Sequence, residues 1–118
     1  KGEEKIEFAK VPLRETWEEL EKLVEEGLIK HIGVSNFNVQ ILLDLLTYAK
    51  VKPLVNQIEL TPYLPQHGLV KFCLDQGILP ESCGPLGATL HKHFYNDEKY
   101  KDVITLIKHP VVQRLAEK

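Results

Sequence analysis

Three short segments concentrate polar or glycine-containing positions able to meet a ligand: Gly33-Val34-Ser35-Asn36-Phe37, Val55-Asn56-Gln57-Ile58-Glu59 and Gly84-Pro85-Leu86-Gly87. Each lies at the end of an apolar run that reads as a strand. In parallel α/β folds, ligands bind at the carboxyl ends of the strands, so these positions carry the chemistry to be sought. Ser35 and Asn36 have a second reading as caps of the following helix, since both residue types favour that place. Gln57 interrupts a run rich in Val, Leu and Ile, and a buried amide needs partners, which favours a site there over solvent.

Other reactive residue types lead less far. His91 and His93 form an H-x-H pair, but no third ligand has suitable spacing, so no metal site is expected. Cys73 and Cys83 make no C-x-x-C pair and are expected to stay reduced. Cys83 reads as a small apolar filler rather than as a reactive thiol. Glu59 and Glu81 could act as paired carboxylates, yet nothing in the sequence fixes their separation. Trp17 falls on the apolar face of a helix and is expected in the core.

The elements that must position these residues alternate. Pro12 suits a first helical position, and Leu13, Trp17, Leu20, Leu23 and Val24 then recur at helical spacing, with Glu15, Glu18, Glu19 and Glu25 facing away. Gly27 can close that helix in the left-handed conformation. Ile29 to Val34 reads as a buried parallel strand. A second helix runs through Val39, Leu42, Leu43, Leu46 and Ala49 and stops before Pro53. Leu54 to Leu60 is a second strand. A third helical face, Leu69, Val70, Phe72 and Cys73, ends near Gly77, and Ile78 and Leu79 begin a third strand. Residues 1–11 read as a loop, as does most of 84–109, with a possible short helix over 97–107. Pro110 opens a last helical pattern. Helix and strand alternating in this way predict a parallel sheet with crossover helices.

Length and composition bound the function. The chain has 118 residues, 43% hydrophobic and 27% charged, which is the make-up of a single globular domain. A formal net charge of -2 removes the electrostatic footprint of a nucleic-acid binder. No apolar run approaches the roughly 18 to 20 residues that cross a bilayer, and no signal peptide is visible, so a cytoplasmic protein without membrane or nucleic-acid partners is expected. The chain opens on Lys1 and contains no Met, which points to a start inside a longer reading frame.

Taken together with Glu15-Thr16-Trp17 and Pro62-Tyr63-Leu64, the three strand-end segments resemble the aldo-keto reductase family over residues 11–88, and again over 109–118. Members are NADP(H)-dependent (β/α)8 barrels that reduce aldehydes and ketones. The resemblance implies that this chain is the part of such a TIM barrel around strands 5 to 7 with their helices. It implies that Ser35, Asn36 and Gln57 hydrogen-bond the nicotinamide carboxamide, which offers both a donor and an acceptor. The carbonyl substrate would be a small molecule met by the full-length protein.

The departures from the family pattern are specific. Where the family has Ala-Tyr-Ser-Pro-Leu-Gly-Ser, this chain has Ser82-Cys83-Gly84-Pro85-Leu86-Gly87-Ala88. Cys83 thus takes the place of the Tyr that stacks on the nicotinamide, Gly84 replaces a Ser near the pyrophosphate, and Leu86 is retained beside them. Pro80 and Glu81 replace expected β-formers, and a proline without N–H should weaken a central strand. Thr61 stands where many relatives have His. The family's Asp, Tyr, Lys and His catalytic set precedes the helix that starts at Pro12, so no catalytic residue maps here. A complete barrel takes about 250 residues, so three strands cannot close one. The resemblance therefore leaves two expectations: a piece of a carbonyl reductase, or a non-catalytic relative that keeps the scaffold for binding or assembly.

Overall fold

A computed structural model of the chain describes residues 9–86 and 106–118. Of the loops expected at 1–11 and 84–109, residues 1–8 and 87–105 lie outside the described residues, and with them the H-x-H pair and most of the short helix expected over 97–107. The described elements are α1 (Leu13–Glu25), β1 (Val34–Ser35), α2 (Val39–Tyr48), β2 (Val55–Glu59), α3 (His67–Asp75), β3 (Leu79–Cys83), a 3-10 turn at Leu106–Lys108 and α4 (Pro110–Ala116). The three strands form one parallel sheet in the order β1-β2-β3.

Helix α1 starts one residue later than expected. Pro12 is its cap, with its carbonyl accepting from Glu15 N at 3.1 Å. The helix ends as its glycine predicts: Gly27 takes φ +74°, and Leu28 N reaches back to Leu23 O at 3.0 Å. That closure explains why the first strand is much shorter than the apolar run Ile29 to Val34. Ile29 N is still held by Leu23 O at 3.3 Å, and pairing with β2 begins only where Leu54 N donates to Ile32 O at 2.8 Å. Gly33, just before β1, lies against Val55 at the start of β2. A Cβ there would lie 2.5 Å from Val55 Cγ1 and 3.0 Å from Val55 O, so a larger residue would push the strands apart.

Pro80 does not weaken β3. All five positions from Leu79 to Cys83 pair with Val55 to Glu59. The reason is parity: Leu79 N donates to Leu54 O at 2.9 Å, so in a parallel ladder residues 79, 81 and 83 bond to β2 while residue 80 turns its backbone nitrogen away. The missing N–H falls on the edge of β3 that faces away from β2.

Helices α1, α2 and α3 pack on one face of the sheet around two touching clusters. Trp17, Ile32 and Leu45 form the first, and Leu42, Cys73 and Ile78 the second, with Val34 and Phe37 packed against both. Trp17 is 1% exposed, as expected of a core residue, and its Nε1 donates to Val51 O at 3.1 Å. Leu43 departs from the expected face of α2, being exposed, while Leu45 is fully buried. Glu21, one acid among many on α1, is buried because its Oε1 accepts from Lys50 N at 2.7 Å and Val51 N at 2.9 Å.

Asn56 is the polar centre of this packing. Its side chain is fully buried on the helix face of β2; its Oδ1 accepts from Phe37 N at 3.3 Å and its Nδ2 donates to Phe37 O at 2.9 Å. Both backbone groups of Phe37, in the turn between β1 and α2, are thereby satisfied. Replacing Asn56 by Leu leaves these two groups unpaired, at roughly 1 to 3 kcal/mol for each such group. A loss of about 2 to 6 kcal/mol of folding stability is expected, read from denaturant midpoints, and a change below about 1 kcal/mol would show that the amide is not the turn's anchor.

Tyr48 presents the opposite case. Its ring packs against the first cluster with the Arg14 guanidinium 4.6 Å from the ring centre, but its buried hydroxyl has no hydrogen-bond partner among the described residues. Burial, reinforced by the Asp44 carboxylate, pushes the phenol above its ordinary 10.0. The folded state therefore holds this proton longer than the unfolded chain, so stability present below pH 10 falls as the pH rises through and beyond it. Tyr48→Phe is expected to leave stability unchanged or raise it by up to about 1 kcal/mol, and to flatten its decline above pH 10. Thermal melts at pH 7 and above pH 10 check both outcomes.

Candidate functional site

The face of the sheet opposite the helices carries the candidate residues. Val34, Asn56 and Ile58 point to the helix side, so Ser35 and Gln57 point to the other, and the register places Ser35, Gln57 and Glu81 side by side in one row across all three strands. Glu59 and Cys83 form the next row toward the strands' carboxyl ends.

Ser35, Asn36 and Gln57 meet through one carbonyl. Gln57 O accepts from Ser35 Oγ at 3.0 Å and from Asn36 N at 2.8 Å. Neither Ser35 nor Asn36 caps the following helix, because that place belongs to Asn38, whose Oδ1 accepts from Ile41 N at 3.0 Å. Asn36 instead takes φ +59°, a conformation that asparagine tolerates better than most residues. The bend turns the chain out of β1 and leaves the Asn36 side chain exposed, without a hydrogen bond among the described residues.

Gln57 is half-buried rather than enclosed; the fully buried amide on β2 is its neighbour Asn56. The Gln57 amide is nonetheless engaged, with Nε2 donating to Glu81 Oε1 at 2.6 Å. Nothing local in the sequence marks Glu81 as this partner; strand register brings it here. Cys83 is exposed at the end of β3, so it is no apolar filler; Cys73 plays that part, fully buried in the second cluster. Both thiols are free. Gly84 follows β3 with φ +67°, which suits a residue without Cβ. Leu86 is 49% exposed two residues beyond, and no hydrogen bond among the described residues ties it to Ser35, Asn36 or Gln57.

Two side chains outside the expected set secure the loop beyond β2. Ser82 Oγ donates to Leu60 O and Gln66 Nε2 donates to Glu59 O, both at 2.6 Å. Thr61 accepts from Leu64 N through Oγ1 at 3.1 Å and forms a bridge with Leu64. Beside that bridge, the Tyr63 and His109 rings meet edge to face with centroids 6.2 Å apart. The arrangement gathers hydrogen-bonding groups and two carboxylates on one sheet face, which can bind and orient a polar ligand.

Comparison with known proteins identifies the family. The profile of the Aldo/keto reductase family matches residues 6–108. Aldose reductase B of Dictyostelium discoideum is 62% identical over 80 residues, covering 68% of this chain and 26% of that protein. An NAD(P)H-dependent D-xylose reductase of Pyricularia oryzae is 42% identical over 113 residues, covering 96% of this chain and 35% of that protein. The solved structure of aldose reductase from Giardia lamblia superimposes with a TM-score of 0.67 at 59% identity, covering 69% of this chain and 26% of that one. The chain thus spans about a quarter to a third of the length of these relatives. Its parallel sheet with helices on one face is a piece of the TIM-barrel fold they share, and the chain belongs to the aldo-keto reductase family.

Proposed function

We propose that this chain is the segment around strands 5 to 7 of an NADP(H)-dependent reductase of aldehydes or ketones, and that it supplies part of the nicotinamide-binding face. The observation that carries this reading is the convergence of Ser35 Oγ and Asn36 N on the Gln57 carbonyl at the ends of two neighbouring strands. The donor set fits a carboxamide. The exposed Asn36 amide offers a donor and an acceptor, Gln57 offers Oε1 while its nitrogen is engaged by Glu81, and Ser35 Oγ keeps acceptor capacity after giving its hydrogen to Gln57 O. When bound, the cofactor supplies the hydride for the carbonyl carbon. Asn36 and Gln57 fix the ring's rotation, Cys83 lines the same face one row on, and Gly84 and Leu86 border it.

The proton donor belongs to the part of the family's barrel that precedes Pro12. Full-length protein carrying this segment is therefore expected to oxidise NADPH in the presence of aldehydes such as aldoses or aromatic aldehydes. The 118-residue chain alone is expected to show no turnover above the protein-free blank. A full-length protein that binds NADPH yet turns over no carbonyl substrate would favour the non-catalytic reading.

Cys83 gives a finer test. The strand end is in register, with Cys83 opposite Glu59, so a side chain at this position extends from the same sheet face as Gln57. A thiol offers little of the flat area of an aromatic ring, and an aromatic pair contributes about 0.5 to 1.5 kcal/mol beyond area burial. In the full-length protein, Cys83→Tyr is expected to tighten NADPH binding by roughly two- to twelvefold, measured by fluorescence titration. An unchanged or weaker Kd would remove position 83 from the cofactor face.

A further inference from the structure

We propose that Glu81 biases this site toward the oxidised, positively charged nicotinamide; the proposal rests on the cofactor reading above and concerns which oxidation state is held more tightly. Glu81 stands in the middle of β3, in register with Gln57, and its Oε1 accepts from Gln57 Nε2 at 2.6 Å. A carboxylate is a poor choice for a strand interior on propensity alone. Nor does an ion pair among the described residues account for it. The salt bridges among the described residues join Lys22 to Glu19 and Lys71 to Asp75, and both lie along helices.

The contact has two consequences for a ligand on this face. The charge-assisted bond holds the Gln57 nitrogen toward β3, so the amide presents Oε1 as its free group. The carboxylate also places a negative charge in the same row as the carboxamide-binding residues, with Glu59 adding a second of the same sign in the next row. The oxidised ring carries a positive charge that the reduced ring lacks, whereas the phosphates are common to both states. A fixed negative charge beside the ring therefore acts differentially, and only a differential interaction can favour one state. Because Coulomb interactions strengthen as water is excluded, the walls of a closed barrel would enlarge the effect.

The test is equilibrium titration of full-length protein carrying this segment with NADP+ and with NADPH, using the unaltered protein, Glu81→Gln and Glu81→Leu. Glutamine keeps an acceptor for Gln57 without the charge, and leucine removes both. The ratio of the Kd for NADP+ to the Kd for NADPH is expected to rise by about three- to tenfold in both variants. An unchanged ratio in the glutamine variant, or a loss of affinity for both cofactors alike in the leucine variant alone, would reduce Glu81 to an anchor for Gln57 and overturn the proposal. If the unaltered protein binds neither cofactor, the cofactor reading itself fails, and this inference falls with it.

Discussion

Asn56 holds the turn between β1 and α2 by its amide, accepting from Phe37 N and donating to Phe37 O from a fully buried position on the central strand. A backbone ladder cannot do this, because the chain is already leaving the sheet at Phe37. The consequences reach both faces. Phe37 is held where its ring packs between the two core clusters. Asn36, one residue earlier, is kept in its left-handed bend, and its N–H meets Gln57 O beside the Ser35 hydroxyl. One strand therefore anchors the turn with residue 56 from beneath and receives it with residue 57 from above.

A second clamp fixes the helical layer at Val51, whose N–H is taken by Glu21 and whose carbonyl is taken by Trp17, both from α1. Buried polar groups of this kind are costly unless paired, so the two side chains specify one docking of α1 onto the loop before β2. The loop in turn sets where β2 begins. The position of the candidate site thus depends on contacts made on the opposite side of the sheet.

The alternation of elements was readable because it rests on local rules: apolar residues at helical spacing in α1 and α2, and glycines at 27 and 77 in the left-handed conformation after α1 and α3. The residues that converge on the candidate site stood out as polar breaks in apolar runs. What escaped the reading depends on register and on partners distant in sequence. Asn56 and Gln57 are adjacent amides, and only the direction of the pleat decides which is enclosed. Glu21 lies in a helix crowded with acids, and nothing local marks it as the one that meets Lys50 and Val51. Glu81 carries no local sign of its place, because its distance from other polar groups is a property of strand pairing. The apolar run from Ile29 overstated β1 because the end of α1 keeps hold of Ile29 N. The reading of Pro80 as a defect assumed that its nitrogen faced a neighbour already present.

Because that nitrogen faces the outer edge of β3, the proline acts as a marker for whatever strand lies there. A strand added on that side meets a carbonyl without a donor opposite residue 80, so registers are no longer equivalent: the best one leaves that carbonyl where water or a side chain can reach it. The same gap interrupts the row of hydrogen-bonding groups that an unrelated strand would use as a template. A single cyclic residue, harmless to the ladder with β2, thereby gives an otherwise regular edge both an address and a guard.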